Sequence, residues 1–183
     1  MTTPARYGTV AIALHWGIAV LVVFAVSTGL VTASADDAIS TQAGLKFHQS
    51  YGLAIFALAV VRAVWRLTHP APPLPAGTSR AQRIAATVTH TTLYLILLGL
   101  PLGGYASLAA RGRTVSFAGL FDLPNVMPLS FKLASQSLDL HRTGGYVLYA
   151  LLALHIGAAL YHHFALKDGV LTRMWPRRSA GTA

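Results

Sequence analysis

Four apolar stretches, at about residues 10–31, 45–67, 83–109 and 140–166, take up most of this 183-residue chain. Each reaches the roughly 20 residues that an α-helix needs to cross the hydrocarbon core of a bilayer. Only 10% of the residues are charged, against about 25% in ordinary soluble domains. That is too few to solvate the outer faces of four helices in water. The sequence therefore predicts an all-α integral membrane protein, one domain over residues 1–183, built as an antiparallel four-helix bundle in a lipid bilayer.

The first stretch lies close to the N-terminus and invites comparison with a signal peptide. It is too long for an ordinary h-region and carries His15 in its body, and Thr32-Ala33-Ser34-Ala35 is a weak mimic of a cleavage site. It is read as a retained helix. The absence of cysteine excludes disulfides, iron–sulfur clusters and thiolate ligands.

A net charge of +9 could suggest nucleic acid, but its distribution follows the positive-inside rule instead. Arg6, Arg62, Arg66, Arg80, Arg83, Lys167, Arg173, Arg177 and Arg178 fall on one side, opposed only by Asp168. The other side carries Lys46, Arg111, Arg113, Lys132 and Arg142, with Asp36, Asp37, Asp122 and Asp139. Both termini are thus expected in the cytoplasm, with outer loops of about 13 and 30 residues. The cytoplasmic linker holds Pro70-Ala71-Pro72-Pro73-Leu74-Pro75, an extended spacer. The longer outer loop, about 111–139, is too apolar to be freely solvated and is expected to lie on the membrane or cap the bundle, with a short interfacial helix near 129–138.

His15, His48, His90, His141, His155 and His162 sit in or at the edges of the apolar stretches. An imidazole in a membrane is costly unless protein surrounds and bonds it. His141 and His155 are fourteen residues apart. That returns the helix to within about 40° of its starting direction and rises roughly 21 Å. The same rise matches His48 in depth with His141, and His15 with His155. Gly29 and Gly104 fall near the outer level, where small residues give clearance or simply close packing. His69 reads as a linker residue and His163 as interfacial.

Zinc sites take three or four protein ligands. Two facing histidines with no Cys or Glu nearby suit the two axial positions of haem iron, a geometry for electron transfer. Interhelical hydrogen bonding is the other reading of each histidine. Arg62 falls at the inner level and is a candidate partner for a haem propionate, or a snorkelling helix-end residue.

In its Ala13-Leu14-His15-Trp16, Phe47-His48, Val61-Arg62, His69-Pro70, His90 with Tyr94, Leu100-Pro101, Arg111-Gly112, His141 to Gly145, His155 with His162-His163, and 171–178 segments, the chain resembles the prokaryotic cytochrome b-561 family. The resemblance runs nearly the whole length. It implies a bacterial inner-membrane protein with two haem b groups, the outer held by His48 and His141 and the inner by His15 and His155. It implies electron transfer from superoxide at the periplasmic face to ubiquinone, an oxidoreductase activity. Cytochrome subunits of membrane hydrogenases and formate dehydrogenases share the spacing, so a haem-bearing anchor relaying electrons to a partner protein is the alternative. On this reading His90, His162, Trp16 and Arg83 are quinone candidates. Lys46, Arg142 and Arg111 are candidates for attracting superoxide, because positive charge speeds the encounter with a small anion.

Overall fold

The computed structural model describes residues 6–75 and 77–176. Arg177 and Arg178, counted above among the cytoplasmic charges, lie outside the described residues. Four helices run in alternating directions: α1 (Thr9–Ser34), α2 (Ala38–Thr68), α3 (Arg80–Ala109) and α4 (Phe131–Tyr161). All four are long and apolar enough to cross a membrane. A π-helical turn, His162–Leu166, extends α4, and a 3-10 turn, Leu171–Met174, follows. The one departure from an all-helical architecture among the described residues is a small hairpin. Its strands β1 (Val115–Phe117) and β2 (Phe121–Leu123) pair antiparallel, with Val115 opposite Leu123.

Three boundaries differ from the hydropathy reading, and capping explains each. Asp37 accepts the Ser40 amide at 2.8 Å and starts α2 at Ala38, so the first outer link shrinks to residues 35–37. Ser79 and Gln82 close a reciprocal capping box that starts α3 at Arg80. Ser130 accepts the Leu133 amide, so the short helix expected near 129–138 is instead the continuous first part of α4. In each case the helix starts several residues before the apolar span, where hydropathy loses it and the hydrogen-bond ladder keeps it.

Residues 110–130 cap the outer end, as their apolar character suggested. The Ala118 amide donates to Ser50 Oγ on α2 at 2.9 Å. Asn125 donates to the Ala109 carbonyl, and Tyr105 donates to the Pro124 carbonyl. Val115 is buried beneath the hairpin.

The helices pack as two hairpins, α1 with α2 and α3 with α4, joined through α2 and α3. By contrast, among the described residues α4 packs at most sparsely, backbone to backbone, against α1 or α2. Between the outer and inner histidine levels, Ile18, Val22, Ala25 and Ile55 form a buried cluster, with Leu97 and Leu152 packed on it from α3 and α4. Most other apolar side chains face outward, as lipid allows.

The α1–α2 contact is closest at Gly44, where an added Cβ would collide with Thr32 Oγ1. Overpacking of this kind costs about 1–3 kcal/mol. Gly44→Val is expected to lower the thermal midpoint of the detergent-solubilised protein by several degrees, and Thr32→Ala in the same chain to restore most of it. A midpoint unchanged by Gly44→Val in a thermal melt would show that the hairpin opens without strain.

Candidate functional site

His48 on α2 and His141 on α4 face each other with ring centres 5.7 Å apart and planes at 88°. The Nδ1–H of His48 donates to the Ala25 carbonyl of α1 at 2.8 Å. The Nδ1–H of His141 donates to the Leu100 carbonyl of α3, also at 2.8 Å. A carbonyl only accepts, so both ring protons sit on Nδ1 and both Nε2 atoms keep a lone pair. Each of the four helices thus supplies either an imidazole or the carbonyl that orients one.

Two glycines make the arrangement possible. A Cβ on Gly29 would lie 3.0 Å from Cε1 of His48, and one on Gly104 would lie 3.2 Å from Cε1 of His141. Both contacts are tighter than ordinary packing allows, so each ring rests directly against a bare stretch of helix. The residues that the depth argument placed at this level are the ones against which the rings lie.

A cleft of about 220 Å³ adjoins the pair. His48, Gly104 and His141 line it, together with Arg111 and Arg113 from the outer loop. Lys46 and Arg142 stay exposed beside the two histidines and do not line the cleft. Arg113 was tallied in the sequence as one of five outer charges. Its place next to Arg111 in the cleft comes from the turn after α3, which tertiary contacts define.

At the inner level His155 of α4 stands between two imidazoles. His15 of α1 lies at 6.1 Å between ring centres and 71° between planes, and His90 of α3 at 5.4 Å and 71°. The sequence separated His90 from the His15–His155 pair, and the structure brings all three together. Arg62 reaches the same level and donates to the Ala11 carbonyl at 2.8 Å. Among the described residues none of the three imidazoles has a protein hydrogen-bond partner, yet no buried side-chain nitrogen is left unsatisfied. Of the three, His90 is exposed and His15 and His155 are half-buried.

The remaining candidates lie around the end of the bundle opposite the hairpin. Trp16 donates from Nε1 to the Met174 carbonyl at 2.7 Å and meets Trp175 edge to face. Arg83 is exposed and donates to the Thr78 carbonyl in its own cap. His162 pairs with Asp168, Nδ1 to Oδ2 at 2.5 Å, and the Val170 amide donates to the other carboxylate oxygen. Asp168 had been weighed only as a counter-charge. Arg173, read as a surface cation, is buried and donates to the Pro73 carbonyl at 2.7 Å. Nothing in the spacing signalled either contact, because both depend on a turn that folds the chain back.

Haem fits this donor set. Metal–imidazole bonds of about 2 Å on both sides put trans ring centres about 6 Å apart, close to the spacings observed. Metal-ligating histidines characteristically give their second nitrogen to a carbonyl or carboxylate, as His48 and His141 do. Among the described residues no group of three His, Cys, Asp or Glu side chains is arranged for a metal ion, which argues against a zinc-type site. The glycine ledges and the cleft beside the histidine pair are clearance of the kind a flat macrocycle would need.

A model of the prokaryotic cytochrome b561 family matches residues 6–177. Cytochrome b561 homolog 2 of Escherichia coli is 35% identical over 181 residues, covering 97% of this chain and 95% of that protein. A protein of Yersinia pestis named probable superoxide oxidase CybB is 33% identical over 174 residues, covering 94% and 97%. Cytochrome b562 of Cereibacter sphaeroides is 31% identical over 179 residues, covering 95% and 98%.

Burial works to raise the Asp168 pKa. The hydrogen bonds from His162 and from the Val170 amide, with the His162 charge, overcome it and hold the carboxyl below the usual value. A depressed folded value means that the stabilisation is complete above the unfolded pKa of about 3.9. It is lost as pH falls through the lower, folded value. Tryptophan emission, which Trp16 and Trp175 report from this end, is expected to hold steady from neutral pH to about pH 4 and to change below it. Asp168→Asn should flatten that acid step. An acid step of full size in the variant would assign it to another group.

Proposed function

The chain belongs to the prokaryotic cytochrome b561 family, and from that membership we propose that it holds two haem b groups and passes electrons from superoxide to ubiquinone. Haem b, electron transfer and a multi-pass place in the bacterial inner membrane come with the family and the four spanning helices. The two binding positions, the donor and the acceptor are the further reading. The observation that carries it is the outer histidine pair, in which both Nδ1 protons are held by carbonyls and both Nε2 atoms stay free.

His48 and His141 hold the outer group, and His15 and His155 the inner one. Haem held by imidazole on both sides supplies a one-electron carrier that favours electron transfer over gas binding. Arg62, anchored on Ala11 at the inner level, is placed to pair with a propionate. The basic majority at the other end puts both termini in the cytoplasm.

At the outer face Arg111 and Arg113 line the cleft next to His48 and His141. Lys46 and Arg142 flank the same histidines. Together they form a positive mouth that draws a small anion. The name of the Yersinia pestis relative supports superoxide as that anion. Two superoxide ions would give up one electron each, leaving dioxygen, and one quinone would take both electrons with two protons.

The acceptor belongs at the cytoplasmic level. His90 lies against His155 and keeps ring nitrogens free to bond a quinone carbonyl. Of the other candidates, Trp16 and Arg83 have given N–H groups to backbone carbonyls. His162 retains Nε2, because Nδ1 is bound to Asp168.

The ligand set is tested by counting haem. His48→Ala or His141→Ala is expected to leave about one haem per chain of two, with folding intact, by pyridine haemochrome assay. His90→Ala should keep both and slow reoxidation by quinone. Two full equivalents in His48→Ala and His141→Ala would reject the outer pair.

The donor is tested by stopped-flow absorption of oxidised protein mixed with superoxide. Haem is expected to reduce rapidly, and Arg111→Gln with Arg113→Gln to slow it about tenfold at low ionic strength. Haem that stays oxidised under superoxide but is reduced by quinol would instead make the protein a relay for a separate dehydrogenase.

A further inference from the structure

The helix α4 does not stop cleanly at the cytoplasmic surface. It loosens into the π-turn His162–Leu166, and the chain then reverses through Lys167 at φ 51° and Gly169 at φ 78°. A non-glycine residue at positive φ is uncommon and marks a backbone held there by its surroundings. The residue between these two is Asp168. The reversal brings its carboxylate back onto His162, with Oδ2 on Nδ1 at 2.5 Å and Oδ1 accepting the Val170 amide at 3.1 Å.

Other charged or titratable side chains are near. Tyr161 meets His162 edge to face at 6.3 Å between ring centres. His163 and Lys167 are neighbours on the same segment and line a separate small cleft. On the packed 3-10 turn, Arg173 is buried and directed at the Pro73 carbonyl. Asp168 is the carboxylate bound to His162.

We propose that Asp168 is a positioning residue for His162: it fixes the proton on Nδ1, leaves Nε2 as the exchanging nitrogen, and so makes His162 the group that delivers protons during quinone reduction. This rests on the function proposed above. Quinone takes two electrons, supplied one at a time by two superoxide ions, and two protons. His162 first takes a proton on Nε2 from cytoplasmic water, then gives it to a quinone oxygen to form an O–H bond of the quinol and returns to the Nδ1–H form; a second round supplies the second proton. Asp168 stays ionised throughout and transfers nothing. A histidine oriented by a carboxylate performs this kind of proton transfer in other settings because tautomer and ring angle are set in advance.

The test uses the purified holoprotein, reduced anaerobically and mixed with a short-chain ubiquinone at neutral pH. Asp168→Ala is expected to retain full haem content and to slow haem reoxidation about tenfold, with a larger solvent isotope effect. Added formate should restore part of the rate. Asp168→Asn keeps one acceptor oxygen and should lose less. The nitrogen-15 spectrum of His162 is expected to show the Nδ1–H tautomer in the native protein and a mixture in Asp168→Ala.

Reoxidation by Asp168→Ala at the native rate, or an unchanged tautomer, would overturn the proposal while leaving the function standing. A loss of rate in which the isotope effect stays fixed and formate does nothing would reduce Asp168 to a structural contact and overturn it too. A native protein whose reduced haem does not react with ubiquinone would overturn both together.

Discussion

A helix in lipid keeps its backbone hydrogen bonds to itself, yet at the outer level two carbonyls of this bundle are shared. Those of Ala25 and Leu100 each accept from a histidine on the neighbouring helix. A carbonyl oxygen has two lone pairs, so it can serve its own helix and still hold an imidazole. Sharing fixes the tautomer, the ring angle and the distance between the paired helices at once. It also explains the glycines, since a ring close enough to reach a neighbour's carbonyl leaves no room for a Cβ at Gly29 or Gly104. The Leu100 carbonyl precedes Pro101, whose missing N–H already interrupts the regular ladder of α3.

The same logic organises the bundle as two repeated halves. In each, one helix offers a carbonyl and a glycine and its partner offers the histidine: α1 to α2, and α3 to α4. Packing is close within each half. Across the halves the histidines meet while the backbones of α2 and α4 pack at most sparsely. The buried cluster around Ile18, Val22 and Ile55 fills the levels between the outer and inner histidines and keeps the two apart in a medium of low polarity. The outer end is closed by the hairpin, anchored through Ser50, two residues after His48.

Depth was legible in the sequence and direction around the axis was less so. Rise per residue is constant and the bilayer fixes where a helix enters, so fourteen residues on α4 were enough to set two levels and to match His48 with His141. The sequence set His90 aside as a quinone candidate and could not show that it faces His155, because that depends on how far α3 is rotated. Helix ends were misjudged where a capped start lay several residues before the apolar span, at Asp37 and Ser130. Both caps are visible in the sequence once hydropathy is not the only guide. Asp168 and Arg173 were invisible in a different sense. Their partners lie across a reversal at Lys167 and Gly169 that no local pattern of side chains announces.

The two levels differ in how firmly their imidazoles are held. The outer rings are pinned by carbonyls and pressed against glycine. The inner rings lack such bonds among the described residues, stand three together and lie within reach of the Arg62 charge. A rigid site suits transfer of an electron from a small anion, where no bond to the protein need be made or broken. A site with spare imidazoles suits a reaction that must also move protons. In the proposed route the donor gives only an electron and the acceptor needs protons as well, and the asymmetry of hydrogen bonding would parallel that difference.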